Sequence, residues 1–323
     1  MNTSSLTDSF GRVHTYLRLS LTDACNLRCL YCMPEEKVMS TPSAKLMQAD
    51  EIAGIAAVFQ SLGITKIRLT GGEPLVRKDA GDIMHRLALL PVELTISTNA
   101  VLVDEYIERF KASGIRNVNV SLDTLDPEVF FAITRRGDFA RITKNIALLL
   151  NNGFHVKVNM VVMKGVNETA VLDFVRWTKD FPLDVRFIEF MPFAGNGWER
   201  DKVLGYQEML ENIRKVFAVV KLEDPQHDTA KKYQVPGHAG AFAFITTVTE
   251  PFCTGCNRLR LTADGKMKNC LFSSGETDLL TPWRAGQDII PLILESVKSK
   301  KAERGGRFDF EHIENRSMIR IGG

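Results

Sequence analysis

The feature that most constrains this 323-residue chain is a unit repeated from about residue 14 to 191: a short apolar or alternating run, then a longer stretch of helical period. TYLRLSLT from Thr15, KIRLT from Lys66, ELTISTN from Glu93, NVNVSLD from Asn117, HVKVNMVV from His155 and VRFIEFM from Val185 read as strands. MQADEIAGIAAVFQSLG, AGDIMHRLALL, VLVDEYIERFKASG, DFARITKNIALLLNNG and ETAVLDFVRWTKDF read as the intervening helices. Three of these close on Gly63, Gly114 or Gly153, the residue expected just past a helix end. Such repeats build a parallel sheet with right-handed crossovers, wound as an open sheet or as a barrel.

Parity within the strands separates those two outcomes. Strands buried on both faces read as continuous apolar runs, whereas these alternate. His14, Tyr16, Arg18, Ser20 and Thr22 oppose Leu17, Leu19 and Leu21, and Lys66, Arg68 and Thr70 oppose Ile67 and Leu69. Glu93, Thr95, Ser97 and Asn99 oppose Leu94 and Ile96; Asn117, Asn119, Ser121 and Asp123 oppose Val118, Val120 and Leu122; Lys157 and Asn159 oppose Val156, Val158 and Met160. With helices covering the apolar face, the polar face becomes an interior. The pattern predicts an incomplete (βα)6 TIM-like barrel whose lumen holds a ligand rather than a packed core. In the sixth strand Arg186 and Glu189 fall on opposite parity, and a bulge would be needed to bring both inward.

After Met191 the pattern changes. A charged, glycine-bearing connector leads to helix-like YQEMLENIRKVF, a loop-like stretch from Glu223 to Gly240, and strand-like AFAFITTV and RLRLTADGKMKNCLF, with a hairpin signal at Ala263–Asp264–Gly265. Residues 1–205 are thus expected as the partial barrel and 206–323 as a C-terminal extension. A net charge of +2, from 41 basic and 39 acidic residues, gives no reason for a non-specific grip on nucleic acid or anionic membrane. No stretch approaches the roughly 20 apolar residues of a membrane span, and MNTSSLTDSFGRVH carries no apolar run of signal-peptide length, so a cytoplasmic location is expected.

The six cysteines form two triplets, at 25, 29, 32 and at 253, 256, 270. Clustered, odd-numbered thiols in a chain of this kind point to metal rather than to disulfides. Cys25-Asn-Leu-Arg-Cys29-Leu-Tyr-Cys32 lies just beyond the C-terminal end of the first strand, the face where parallel barrels carry their active sites. Three thiolates hold a cuboidal iron–sulfur cluster with one iron left open; zinc is the alternative, although structural zinc wants four ligands. After the second strand, Thr70-Gly71-Gly72-Glu73-Pro74 offers a backbone that a ligand can approach closely and a carboxylate that can accept from an ammonium. On spacing alone, the second triplet fits a structural zinc site completed by a distant histidine such as His238 as well as a second cluster. Arg258 and Arg260, on one face just beyond Cys256, tip the balance toward a phosphate ligand.

CNLRCLYC after an Arg-bearing strand, followed by GGEP after the next, resembles the radical S-adenosylmethionine (SAM) superfamily. That resemblance implies that Cys25, Cys29 and Cys32 hold a [4Fe–4S] cluster whose open iron chelates the methionyl group of SAM. It places Gly72 and Glu73 on the same group, Ser121 and Met191 on the rest of the molecule, and Tyr31 close to the adenine. Reductive cleavage would then give a 5′-deoxyadenosyl radical, which needs a sealed lumen. Arg18, Lys66, Arg68, Lys157 and Arg186 join Arg258 and Arg260 as inward basic residues, and so many buried like charges require a polyanion, most economically a triphosphate.

CxxxCxxC, GGEP, the CxxC with a thirteen-residue gap to Cys270, CNRLRLTADGK and a final Gly322-Gly323 together resemble the GTP 3′,8-cyclase family, from about Leu17 to the C-terminus. The resemblance implies a second [4Fe–4S] cluster on Cys253, Cys256 and Cys270, with its open iron toward the guanine. It also implies GTP contacts from Arg18, Arg68, Ser97, Lys157, Arg258, Leu259 and Arg260, with Lys66 and Arg186 as further contacts. Ser97 stands where the family commonly has Thr, and keeps the hydroxyl. The implied reaction is radical cyclisation of GTP between ribose C3′ and guanine C8, early in molybdenum cofactor biosynthesis. Its product would pass to a cyclic pyranopterin monophosphate synthase. The terminal glycines would enter the site, a homodimer is the assembly the resemblance allows, and the electron donor is not written in the sequence. Two rivals stand beside this reading: another radical SAM enzyme with an auxiliary cluster, such as a peptide modifier, and a zinc-stabilised binding protein.

Overall fold

A computed structural model describes residues 5–33, 40–224, 227–307 and 315–322. The alternating runs become parallel strands β1 (Tyr16–Ser20), β2 (Lys66–Thr70), β3 (Glu93–Thr98), β4 (Asn117–Ser121), β5 (His155–Val162) and β6 (Asp184–Glu189). They are connected by α1 (Ala49–Ser61), α2 (Ala80–Ala88), α3 (Val103–Ala112), α4 (Pro127–Thr134), α5 (Phe139–Asn151) and α6 (Ala170–Trp177). Gly63, Gly114 and Gly153 take positive φ where α1, α3 and α5 end, as their positions predict. Apolar strand residues such as Leu17, Ile67, Ile96, Val118 and Val158 are fully buried in the core the helices cover, and the polar parity faces the lumen. This is the partial barrel that the alternation predicts.

The C-terminal residues supply α7 (Tyr206–Arg214), β7 (Val220–Lys221), β8 (Ala230–Gln234), β9 (Ala241–Ile245), β10 (Arg258–Leu261), β11 (Lys266–Lys268), β12 (Thr277–Asp278), α8 (Leu280–Arg284), α9 (Ile290–Lys298) and α10 (Met318–Ile321). They widen the same sheet at both edges, in the order β12-β11-β10-β1-β2-β3-β4-β5-β6-β9-β8-β7. β10 runs parallel to β1 and β9 parallel to β6. Gly265, with φ +71°, makes the β10–β11 hairpin where Ala263–Asp264–Gly265 predicts it. The stretch from Glu223 to Gly240 is not all loop, because β8 lies within it, paired antiparallel with β9; part of the stretch, residues 225–226, lies outside the described residues.

No bulge corrects the sixth strand. β6 pairs without interruption from Lys157↔Asp184 to Val162↔Glu189, and on its other side from Asp184↔Ala241 to Ile188↔Ile245. Arg186 and Ile188 therefore face the lumen, while Glu189 points to the outer layer. There its fully buried carboxylate accepts from the backbone of Tyr206 (3.1 Å), Val248 (2.8 Å) and Thr249 (2.9 Å), and from the Thr249 hydroxyl. One side chain thus ties the end of β6 to the start of α7 and to the loop after β9. Replacing Glu189 with Ala strands those donors in a dry interior. We expect a loss of about 3 kcal/mol, read as a lowered denaturant midpoint.

Candidate active site

The loop after β1 is held from two sides. Gly72 N–H donates to Thr22 O (2.7 Å) and Glu73 N–H to Ala24 O (2.8 Å), so the turn after β2 is laced to the approach to Cys25. A Cβ on Gly72 would strike the Ala24 carbonyl, and one on Gly71 would come within 2.6 Å of Thr22 O; only glycine permits this approach. From the far side, Arg28 N–H and Leu30 N–H donate to Thr134 O and Ile133 O, each at 3.0 Å, docking the loop on the C-terminal end of α4. α4 has no counterpart among the helical runs read from the sequence. Its signal was present in Asp126-Pro127-Glu128: the Asp126 carboxylate caps Glu128 N–H (2.8 Å) and Val129 N–H (3.1 Å), with proline in the first turn.

The three thiols point into the lumen. The Cys25 sulfur accepts from Leu27 N–H (3.4 Å) and from Asn99 Nδ2 (3.8 Å). Burial raises the Cys25 thiol to about 11 and the Cys32 thiol to about 12. Tyr31, between two of the cysteines, donates its hydroxyl to Asp123 (2.8 Å), whose carboxyl burial lifts to about 6. Gly72, Ser121 and Met191 line the same space as the thiols, and Glu73 does not. Its buried carboxylate accepts from Leu75 N–H (3.0 Å), Thr98 Oγ1 (2.8 Å) and Asn99 N–H (2.6 Å), fastening the turn to the end of β3, and burial raises it to about 7.

The β10–β1–β2 registry brings the basic residues together. Arg260, Arg18 and Arg68 stand side by side at one level, and Arg258, Tyr16 and Lys66 at the level below; adjacent strands are about 4.8 Å apart. Ser97, Asn119 and Lys157 share another level on β3, β4 and β5. Burial lowers Arg18 to about 10, Arg260 to about 9 and Lys157 to about 8, and neighbouring cations push each the same way. Lys66 already has a partner, donating to both Glu93 oxygens at 3.0 Å. The Tyr16 hydroxyl, Arg18 Nε and the Asn119 and Asn159 carbonyl oxygens are buried without a hydrogen-bond partner. Leu259 packs in the core between the two arginines of β10, so only its backbone can meet a ligand.

The second triplet closes the other side of this space. Cys253 and Cys256 flank a single turn, with Cys256 N–H donating to Cys253 O (3.2 Å). Burial alone would raise Cys256, but the charges of Arg258 and Lys300 outweigh it and bring the thiol to about 7. One cavity of about 580 Å³ is lined by all six cysteines and by Arg18, Arg68, Lys157, Arg186, Arg258 and Arg260. His227, Asp228 and Asn269 also line it, brought in by loops that strand parity does not read. His238 is not among the lining residues; its ring nitrogen pairs with the Thr178 hydroxyl (2.9 Å). The C-terminal segment enters as well: Ile319 lines the cavity and Arg260 donates to Gly322 O (2.8 Å). A Cβ on Gly322 would crowd Ser20 and Thr70; Gly323 lies outside the described residues. Among the described residues, no three His, Cys, Asp or Glu side chains gather tightly enough for a single metal ion. What each triplet fits is decided by its chemistry: soft thiol donors alone, with neither imidazole nor carboxylate in the set, suit an iron–sulfur centre. The unpartnered donors and crowded guanidiniums suit a phosphorylated ligand.

Residues 19–178 match the radical SAM superfamily, and residues 183–305 match the family described as Molybdenum Cofactor Synthesis C. The chain is 47% identical to the mitochondrial GTP 3′,8-cyclase of Arabidopsis thaliana, over 98% of this chain and 83% of that one. It is 41% identical to the GTP 3′,8-cyclase of Peptoclostridium acidaminophilum, over 100% and 99%. Against molybdenum cofactor biosynthesis protein 1 of Homo sapiens it is 46% identical over 98% of its own length, and spans about half of that relative (51%). Among solved structures, Streptococcus suis SuiB bound to S-adenosylmethionine superposes with a TM-score of 0.60, over 95% of this chain and 72% of that one, at 17% identity, a likeness of fold alone. Identity at this level along nearly the whole of this chain and most of both the plant and the Peptoclostridium relatives, on a partial barrel with this cysteine loop, makes the chain a member of the GTP 3′,8-cyclase family within the radical SAM superfamily.

Proposed function

We propose that this chain converts GTP to (8S)-3′,8-cyclo-7,8-dihydroguanosine 5′-triphosphate, an early step of molybdenum cofactor biosynthesis. It is a radical SAM enzyme of the lyase type, with S-adenosylmethionine and an iron–sulfur cluster as its cofactors. The observation that carries the fuller reading is the single cavity bounded by both cysteine triplets, with a row of guanidiniums between them. When bound, the cluster and SAM supply the one-electron chemistry that removes the ribose 3′ hydrogen.

The chain's own residues do the rest. Cys25, Cys29 and Cys32 hold the first centre; Tyr31, Gly72, Ser121 and Met191 face SAM, and Glu73 acts through the turn it fastens. Arg18, Arg68, Lys157, Arg186, Arg258 and Arg260 bind the triphosphate, with Lys66 weakened by Glu93, while Ser97 and the Leu259 backbone meet the nucleoside. Cys253, Cys256 and Cys270 hold a second [4Fe–4S] cluster at the guanine end. Residues 1–205 carry the SAM half of the site and 206–323 the auxiliary half. The helices of the described residues include none long and apolar enough to cross a membrane, in keeping with work in the cytoplasm, where a homodimer would hand its product to a cyclic pyranopterin monophosphate synthase.

One hydrogen leaves C3′ and one electron and one proton return, so the product is an isomer of GTP. Anaerobic incubation with GTP, SAM and dithionite, followed by chromatography and mass analysis, should give 5′-deoxyadenosine together with that isomer. Deoxyadenosine alone, with GTP untouched, sinks the substrate assignment. A smaller prediction concerns Tyr16. Its hydroxyl lies buried among Arg18, Arg68, Lys66 and Arg258, where a bound phosphate oxygen would accept its hydrogen bond. Tyr16→Phe keeps the ring, which packs under the Lys66 ammonium and the Arg68 guanidinium. It should raise KM for GTP about tenfold while kcat moves far less, as initial rates will show.

A further inference from the structure

Lys300, just beyond α9, is 4% exposed, although lysine is rarely enclosed without an opposite charge. Its ammonium donates to the Cys256 sulfur at 3.5 Å and to the Arg258 carbonyl at 2.9 Å. Cys256 and Cys270 favour its charge and Arg12 opposes it; neither of its hydrogen bonds goes to a carboxylate, and the Asp8 carboxylate behind His14 is engaged by Arg12. Nor does Lys300 line the cavity, so a bound nucleotide cannot be its counter-ion. Neutral thiols would leave the cost of burying this ammonium unmet, while thiolates held on a metal centre offset it. The first triplet is built differently. The Cys25 sulfur itself takes neutral amide donors, the nearby Arg28 guanidinium donates to the Cys25 and Leu27 carbonyls, and the carboxylates near that triplet are those of Glu73 and Asp123.

We propose that Lys300 is a fixed counter-charge for the centre held by Cys253, Cys256 and Cys270, a positioning residue that raises its reduction potential. The inference rests on the two-cluster reading above. Reduction adds an electron to the centre, so a buried cation touching one of its sulfurs favours the reduced form, and charge and hydrogen bonding at the sulfurs are the levers that set such potentials. The cation reaches the centre from behind, away from the cavity, so it touches the cluster's sulfur and not GTP, and its second bond steadies the backbone of Arg258.

The test uses the full chain carrying C25A, C29A and C32A, so that only the second triplet can assemble a cluster, reconstituted anaerobically. Iron, acid-labile sulfide and an EPR-monitored redox titration are compared with Lys300 intact and in K300M, K300Q and K300R. K300Q retains a donor toward Cys256 but no charge, and K300R retains the charge. We expect the midpoint to become more negative in K300M and K300Q and to stay near its starting value in K300R. Cluster loss confined to the two neutral variants would also support the proposal. An unmoved midpoint in K300M and K300Q at full iron content, or equal cluster loss in K300R, would overturn it. If the chain with Lys300 intact holds neither iron nor sulfide, the two-cluster reading fails first and takes this inference with it.

Discussion

Cys25→Ala should yield no 5′-deoxyadenosine above the enzyme-free background when the chain is reconstituted anaerobically and supplied with SAM and dithionite. The three thiols of the first loop are the soft donors at that end of the cavity. The side chains that hydrogen-bond with the Cys25 sulfur are the amides of Asn26 and Asn99, which cannot replace a thiolate on iron. The loop itself should survive, because its anchors are backbone: Arg28 and Leu30 on α4, and the Gly72 and Glu73 amides on Thr22 and Ala24. Unfolding is therefore separable from loss of chemistry, and thermal stability near that of the unsubstituted apo chain should accompany the loss. Iron content adds a second reading, because the Cys253 triplet remains and the variant should keep about half the iron of the unsubstituted chain. Deoxyadenosine formed at an undiminished rate would remove this triplet from the chemistry.

Much of this site was legible in the sequence because burial in a barrel has a period of two. Arg18, Arg68, Ser97, Ser121 and Lys157 could each be assigned to the lumen from parity alone, and each lines the cavity. Parity put Glu189 on the face opposite Arg186, where the unbroken register of β6 leaves it, but it could not supply the partners that hold a carboxylate there. Those partners lie 17 to 60 residues away, on Tyr206, Val248 and Thr249. Glu73 is similar: its carboxylate is engaged by Thr98 and Asn99, 25 and 26 residues on. Pairing between distant strands leaves no local trace, so nothing in RLRL at 258–261 announces that β10 lies against β1. That placement turns the arginines beside the second triplet into wall residues of the first half's lumen.

Replacing Arg258 and Arg260 together with Ala should leave SAM cleavage in the absence of GTP intact while abolishing the cyclised nucleotide and weakening GTP binding by about a hundredfold or more, at 1.5–3 kcal/mol for each charged contact. The registry carries the argument. Arg260 stands between the β11 hairpin and Arg18, with Arg68 beyond, and Arg258 sits one level below beside Tyr16. Without an anion these buried guanidiniums stand side by side with like charge; burial lowers Arg18 and Arg260, and their arginine neighbours push the same way. Thermal stability of the ligand-free variant should therefore hold or rise, the opposite of what structural arginines would give, and the stabilisation that GTP confers should largely vanish. Undiminished GTP turnover would defeat the phosphate assignment. Arg260 also donates to the Gly322 carbonyl, so it bridges the substrate wall and the C-terminal segment that lies over Cys32 through Ile319. Arg260→Lys separates these roles: a lysine restores charge but not the forked geometry. It should recover most of the GTP affinity while leaving cyclisation impaired, because the charge that holds the triphosphate is then present without the contact that seats the tail.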